Sequence, residues 1–202
     1  MKEWIDEYGY LLIILAVVSV VAAVIFYFAA KAYSGHQREI KAQRAELDRL
    51  IALKEKYKNL TEEAIERADN SELLEGVALS YQLILQKQED IEGEFNKMNE
   101  DRKDIYALDV FVQDASAKEF FSQNGDILRK RIVSAFAKIG MMDFASRITT
   151  VALMFDKDDE TVSYSEKAIE ELDKYIAESD VLNEIKLNAA EYIKNNYCQF
   201  VN

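Results

Sequence analysis

The residue types that could carry chemistry are few, and their spacing limits what they can do. Asp156, Asp158 and Glu160 repeat the alternation that opens an EF-hand calcium loop. The sixth position of that loop is Thr161 rather than the glycine its sharp turn needs, and the twelfth is Lys167 rather than the bidentate glutamate. The segment therefore reads as a solvated acidic turn. His36 is the sole histidine and stands in a polar stretch without a second imidazole nearby, whereas metal and acid/base sites recruit converging partners. Cys198 is the sole cysteine, so no internal disulfide can form, and Tyr-Cys-Gln-Phe offers no base to make a thiolate. It reads as the packed edge of a last helix. The sequence contains no glycine-rich phosphate loop, nucleophile elbow, HExxH or CxxC. The expectation is a non-enzymatic protein with no catalytic residue, no cofactor and no metal.

Arg129-Lys130-Arg131 is the compact basic cluster of the chain's second part. On a helix these side chains spread over most of the circumference, which suits a solvated face. The sharper reading is a docking contact for an acidic partner protein, and Arg129, Lys130 and Arg131 are the candidate protein-binding residues. Asn59-Leu60-Thr61 has the form of a glycosylation acceptor, but Asn59 with Glu62 also reads as a helix start.

The elements that must position these groups begin with an apolar run. Tyr10 to Ala30 holds 21 consecutive residues without a charge, Pro or Gly. At about 1.5 Å of helical rise per residue this matches the roughly 30 Å hydrocarbon core of a bilayer. Trp4, Tyr8 and Tyr10 precede it, and Phe26, Tyr27, Phe28 and Tyr33 lie at or beyond its far end, where aromatic rings prefer the headgroup level. Ala30-Lys31-Ala32 offers a small-x-small cleavage pattern, but the leader Met1 to Glu7 is acidic on balance, unlike that of a signal peptide. One basic residue, Lys2, precedes the run, against Lys31, Arg38, Lys41, Arg44 and Arg49 after it. The lysine and arginine asymmetry places the following domain in the cytoplasm of a single-pass protein of a bacterial-type inner membrane, with the periplasm as the alternative. Ser19 and Ala23, with Ala16 and Ala22 nearby, could admit another span, so a homo-oligomer through span or stalk is conceivable.

The chain carries a formal net charge of −12. Residues 1–50 balance six bases against six acids, so the whole excess falls in 51–202, with 19 bases against 31 acids. Such a balance repels nucleic acid. No Pro and six Gly in 202 residues point to an all-α chain, because strand-rich folds lean on those residues for their turns. The expected organisation is a short tail at 1–9, a transmembrane helix at 10–30, a polar helical stalk at 31–68, and an acidic all-helical domain at 69–202. In the stalk, Ile40, Leu47, Leu50 and Tyr57 take heptad a and d positions, while Gln43 and Lys54 break the seam.

Beyond it, Leu74, Val77, Ala78, Tyr81, Ile84 or Leu85, Ile91, Phe95 and Met98 suggest one long helix over about 71–99, capped by Asn70. Residues 105–112 are ambiguous between helix and strand by period and are read as helix. Stripes at Ile127 to Ile139 and Phe144 to Phe155 flank Gly140. Ser163 with Glu166 has capping-box spacing for a third helix, and Asp180 can cap a fourth.

The stretch from Ala135 to Asp159 resembles the middle of a tetratricopeptide repeat, with Gly140 followed by Ala145 and then Ala152-Leu153 at the family's spacing, and Phe136 near its aromatic position. Lys157 stands where the family usually has Pro, Val133 where it has Gly, and Thr149 where an aromatic is common. The resemblance covers about residues 126–159 and implies stacked helical hairpins with a protein-binding face, in which Gly140, Ala145 and Ala152 mark close helix approach. The functional expectation is a membrane-anchored scaffold or adaptor, a structural subunit of a membrane complex whose partners are the bilayer and other subunits. The alternative is a regulatory or sensory subunit signalling through span and stalk.

Residues 10–30 should hold the chain in membranes through alkaline carbonate extraction. Val17→Arg with Val20→Arg should block insertion, since each charge near a span's centre costs about 2.5 to 3.5 kcal/mol. Quantitative release of the unaltered chain by carbonate would contradict the span.

Overall fold

The computed structural model describes residues 40–85, 88–156 and 165–201. The apolar run at 10–30, the tail before it, His36 and the segment 157–164 lie outside the described residues. Among the described residues all regular structure is helical, and no helix is long and apolar enough to cross a membrane. The chain divides into two units, up to Ala52 and from Leu53 onward. In the first, residues 40–52 belong to helix α1 (40–56), whose Leu47 and Ile51 are exposed.

The second unit contains α2 (Glu62–Glu66), α3 (Asn70–Leu85), α4 (Ile91–Lys97), α5 (Glu100–Asp114), α6 (Ala117–Gln123), α7 (Asp126–Lys138), α8 (Met142–Met154), α9 (Glu166–Glu178), α10 (Val181–Asn195) and a 3-10 turn at Tyr197–Gln199. Its core starts earlier than residue 69. Leu53, Tyr57, Leu60, Ile65 and Ala68 are all buried in it, so the last part of the expected stalk is domain. Burying large aliphatic and aromatic side chains releases about 25 cal/mol per Å² of apolar surface, which outweighs the solvation of the few charges between them.

Helix α5 is the hub, packed against α3, α6, α7 and α10. The ambiguous 105–112 segment is helical because a single face gathers Ile105, Ala107, Leu108 and Phe111, all buried. Phe111 meets Phe120, Phe136 and Phe144 edge-on at 5.4, 5.2 and 6.0 Å, joining α5 to α6, α7 and α8. Such geometry sets the positive edge of one ring against the negative face of another. Across the chain, α10 lies on α3, and Lys194 Nζ donates to the Ala68 carbonyl at 2.9 Å and to Asn70 Oδ1 at 2.6 Å.

Several helix ends differ from the sequence expectation. The proposed helix over 71–99 is two, because polar Gln88, Glu89 and Asp90 interrupt the stripe and Asp90 restarts it by accepting the Gly93 N–H at 2.9 Å. Asp69, not Asn70, accepts the Ser71 N–H at the start of α3. Thr61 rather than Asn59 caps α2, accepting the Ala64 N–H at 3.2 Å. Ser165 caps α9, and Ser163 lies outside the described residues. Asp180 does precede α10, but its carboxylate takes the Asn183 side-chain amide instead of a backbone N–H. A long-range cap completes α6: Asp173 on α9 accepts the Ala117 N–H at 2.6 Å and the Ser116 hydroxyl at 3.0 Å.

The two glycines that matter do opposite things. Gly140 adopts φ +83° and a Cβ there would meet open space, so it terminates α7 and does not mark a close helix approach. The Met141 N–H reaches the Phe136 carbonyl at 2.9 Å and the Gly140 N–H that of Ala137 at 3.1 Å, the Schellman pattern. Gly76 lies mid-helix against the Tyr57 ring, where a Cβ would come within 2.4 Å of a ring carbon. Tyr57 is 1% exposed and cannot swing away cheaply.

Gly76→Ala should therefore destabilise the domain in urea denaturation. Ala is better than Gly in a helix by about 1 kcal/mol, but overpacking costs about 1 to 3 kcal/mol. In a Tyr57→Ala background the clash is gone and the same substitution should become stabilising. Gain of stability in the unaltered chain would show that the ring yields.

Candidate protein-docking surface

The first turns of α5 carry Glu100, Asp101 and Asp104, and α7 crosses them with Arg131 and Lys138. Arg131 Nη1 donates to Glu100 at 2.7 Å, and its Nε lies 3.3 Å from Asp104 without the alignment of a hydrogen bond. Lys138 bonds Asp101 at 2.8 Å and also reaches Asp104, while the Tyr192 hydroxyl of α10 donates to Asp101 at 2.8 Å. Burial would pull the Lys138 ammonium down, yet its bonds to Asp101 and Asp104 hold it above its ordinary value. Burial and the bond to Asp101 push the Tyr192 phenol up to about 12. The network clamps α5, α7 and α10.

This geometry relocates the basic cluster. Arg131 faces α5 and serves the fold, so Arg131→Glu would set a further carboxylate against Glu100 and Asp104 and would not be the neutral surface change that a solvated face implies. Arg129 turns the other way, bonding the Phe121 carbonyl at 3.2 Å and pairing with Asp126. Lys130 is exposed. The three side chains do not converge on one docking patch. Arg129 and Lys130 border a pocket of about 300 Å³ floored by Val133, Ala152 and Leu153, with Asp126 and Asp156 at its margin.

A larger groove, about 560 Å³, opens where the end of α3, α4, α5 and the start of α7 meet. Leu85, Ile91, Phe95, Tyr106, Ile127 and Leu128 line it, with Phe95 packed edge-on against Tyr106 at 5.7 Å. Ile91 is 56% exposed and Ile84, beside Leu85 in sequence, 45%. A large aliphatic side chain as open as Ile91 in a concave apolar lining is the form of surface that marks an interaction site. The sequence names most of these residues as stripe positions but not as a surface, because the groove unites segments about 35 residues apart. Apolar residues at the first turns of α4 and α7, directly after polar breaks, are the signal that could have found it.

Other candidates are placed as follows. Cys198 is exposed in the 3-10 turn, and the packed edge is instead Phe200, fully buried against Tyr192. Asn99 and Arg102 hold the carbonyls of Gln199 and Val201 nearby. Of the EF-hand-like residues only Asp156 is described. Among the described residues no group of three or more His, Cys, Asp or Glu could hold a metal ion. No family model matches the chain, and no curated protein or solved structure matches it.

Asp109, also on α5, is buried with Gln113 donating to it at 2.5 Å. Burial first, then the charge of Glu75, raises its carboxyl to about 7 against the ordinary 3.8, with Gln113 and Lys186 opposing. The folded state thus binds a proton that the unfolded chain releases, and stability falls as pH rises from about 4 through 7. Asp109→Asn should remove that slope and raise stability at pH 8 on the order of 2 to 4 kcal/mol. Urea melts at pH 4.5 and 8 check it; an unchanged slope would mean that Asp109 is solvated.

Proposed function

We propose that this chain is a non-enzymatic, membrane-anchored adaptor whose helical domain holds another protein subunit at the bilayer through the α4–α7 groove. The observation that carries the reading is the open apolar groove lined in part by the exposed Ile91, since exposed aliphatic surface beside a concave floor costs solubility unless a partner covers it. The uncharged run from Tyr10 to Ala30 supports the anchor, and the lysine and arginine asymmetry supports a cytoplasmic domain. The α7–α8 hairpin supports the tetratricopeptide-like reading in part: both helices are 13 residues long, they turn at Gly140, and Ala145 is buried, whereas Ala152 is half-buried and borders a pocket. The network of Glu100, Asp101, Asp104, Arg131 and Lys138 is accounted for by helix clamping and needs no reaction.

The full chain, isolated from its native membranes in mild detergent, should carry a co-purifying protein in fixed stoichiometry. Ile91→Asp should strip that partner while leaving helicity and melting unchanged, because the residue is open to solvent at the first turn of α4. Isolation of the chain alone would overturn the adaptor, and a partner retained by Ile91→Asp would overturn the groove as its site.

A further inference from the structure

We infer that the occupant of the α4–α7 groove is a cationic amphipathic helix supplied by the partner protein; this rests on the adaptor reading. The charge of the lining decides the class. Glu92 and Asp126 border the apolar floor, and no Lys, Arg or His is among the described residues lining it. The segment leading into α4 carries Glu89 and Asp90 together with Lys87, which lies outside the described residues, and Glu94 follows in the first turn of α4, where Lys97 pairs with it at 2.6 Å. Asp126 is paired with Arg129 and Glu94 with Lys97, so Glu92 is the lining carboxylate for which an acidic segment would be a like-charge partner, and like charges brought together at an interface cost several kcal/mol. A basic segment meets complementary charge, and with 31 acids against 19 bases in residues 51–202 the whole domain attracts it.

The shape decides the conformation. The floor is made of side chains from four helices and offers no strand edge, so an extended peptide would find no ladder of backbone groups to pair with. An amphipathic helix needs none, because its own backbone is satisfied internally. It would lay apolar residues at i, i+3, i+4 and i+7 between Ile91 and Leu128, with Phe95 and Tyr106 beneath. A lysine or arginine flanking that stripe would reach Glu92, while Asp126 on the other side is already paired with Arg129.

The test uses the full chain in phosphatidylcholine nanodiscs, with empty nanodiscs as reference, and three fluorescein-labelled 18-residue peptides. One arranges Leu and Lys with a single apolar helical face, the second has the same composition scrambled, and the third replaces every Lys by Glu. Fluorescence anisotropy should give the amphipathic Leu/Lys peptide at least about tenfold tighter binding than either other peptide. Ile91→Asp and Leu128→Asp should each weaken it about tenfold. Glu92→Lys should weaken it and flatten its salt dependence, while Glu170→Gln with Glu171→Gln, exposed on α9 away from the groove, should not. Equal binding of the scrambled peptide, or affinity unmoved by Ile91→Asp, would overturn the inference. The two readings separate cleanly. Peptide capture at the groove, with the native partner unaffected by Ile91→Asp, supports the helix and overturns the adaptor site; loss of the native partner without peptide capture upholds the adaptor and overturns the cationic helix.

Discussion

Phe111 is where the second unit is tied together. Its ring lies at the junction of α5 with α6, α7 and α8, edge-on to three other phenylalanines, and the helix that carries it also packs on α3 and α10. Every other placement follows from fixing α5 there. The acidic first turns of α5 are brought to Arg131 and Lys138 on α7, Arg102 is brought to the carbonyls after α10, and Tyr106 becomes the floor of the groove. A helix buried on most of its circumference must satisfy its charges internally, and α5 does so with cations borrowed from its neighbours.

The same burial explains why the domain carries two kinds of charge. On α9 the pairs Lys167 with Glu171 and Lys174 with Glu178 lie in solvent at 3.7 and 3.8 Å, and such pairs contribute a few tenths of a kcal/mol at most. The α5–α7 network is enclosed at Asp104 and open at Glu100, with Asp101, Arg131 and Lys138 part-buried between them, and it joins helices distant in sequence. Removing one member would strand an opposite charge, which costs far more than the pair contributes. Among the described residues Gln113 alone is hydrogen-bonded to Asp109, and its carboxyl answers burial by holding its proton to higher pH.

Much of the fold was legible because helical periodicity is local. The absence of proline marked the chain as all-helical, and the stripes at Ile127 to Ile139 and Phe144 to Phe155 are α7 and α8. What escaped was set by tertiary contacts. The compact unit begins at Leu53 because Leu53 and Tyr57 find a core to enter, and a heptad reading of the same residues could not see it. Gly140 serves backbone handedness rather than close packing, which only its φ reveals. Arg131 read as surface because basic triplets usually are, yet its partners lie on α5, 27 and 31 residues earlier. The groove was invisible for the same reason. Its walls come from α3, α4, α5 and α7, and the stripe pattern of each helix alone predicts burial, not a shared opening.

The contact between α3 and α10 closes most of this domain's length into one loop. Lys194 meets Ala68 and Asn70 across 126 and 124 residues of chain, so the loop entropy of closing that span must be spent before the contact returns anything. Most helical domains fold fast because their contacts are local, and the α7–α8 hairpin fits that description. The return of α10 does not. Until it arrives, the face of α3 that α10 covers stands open to water.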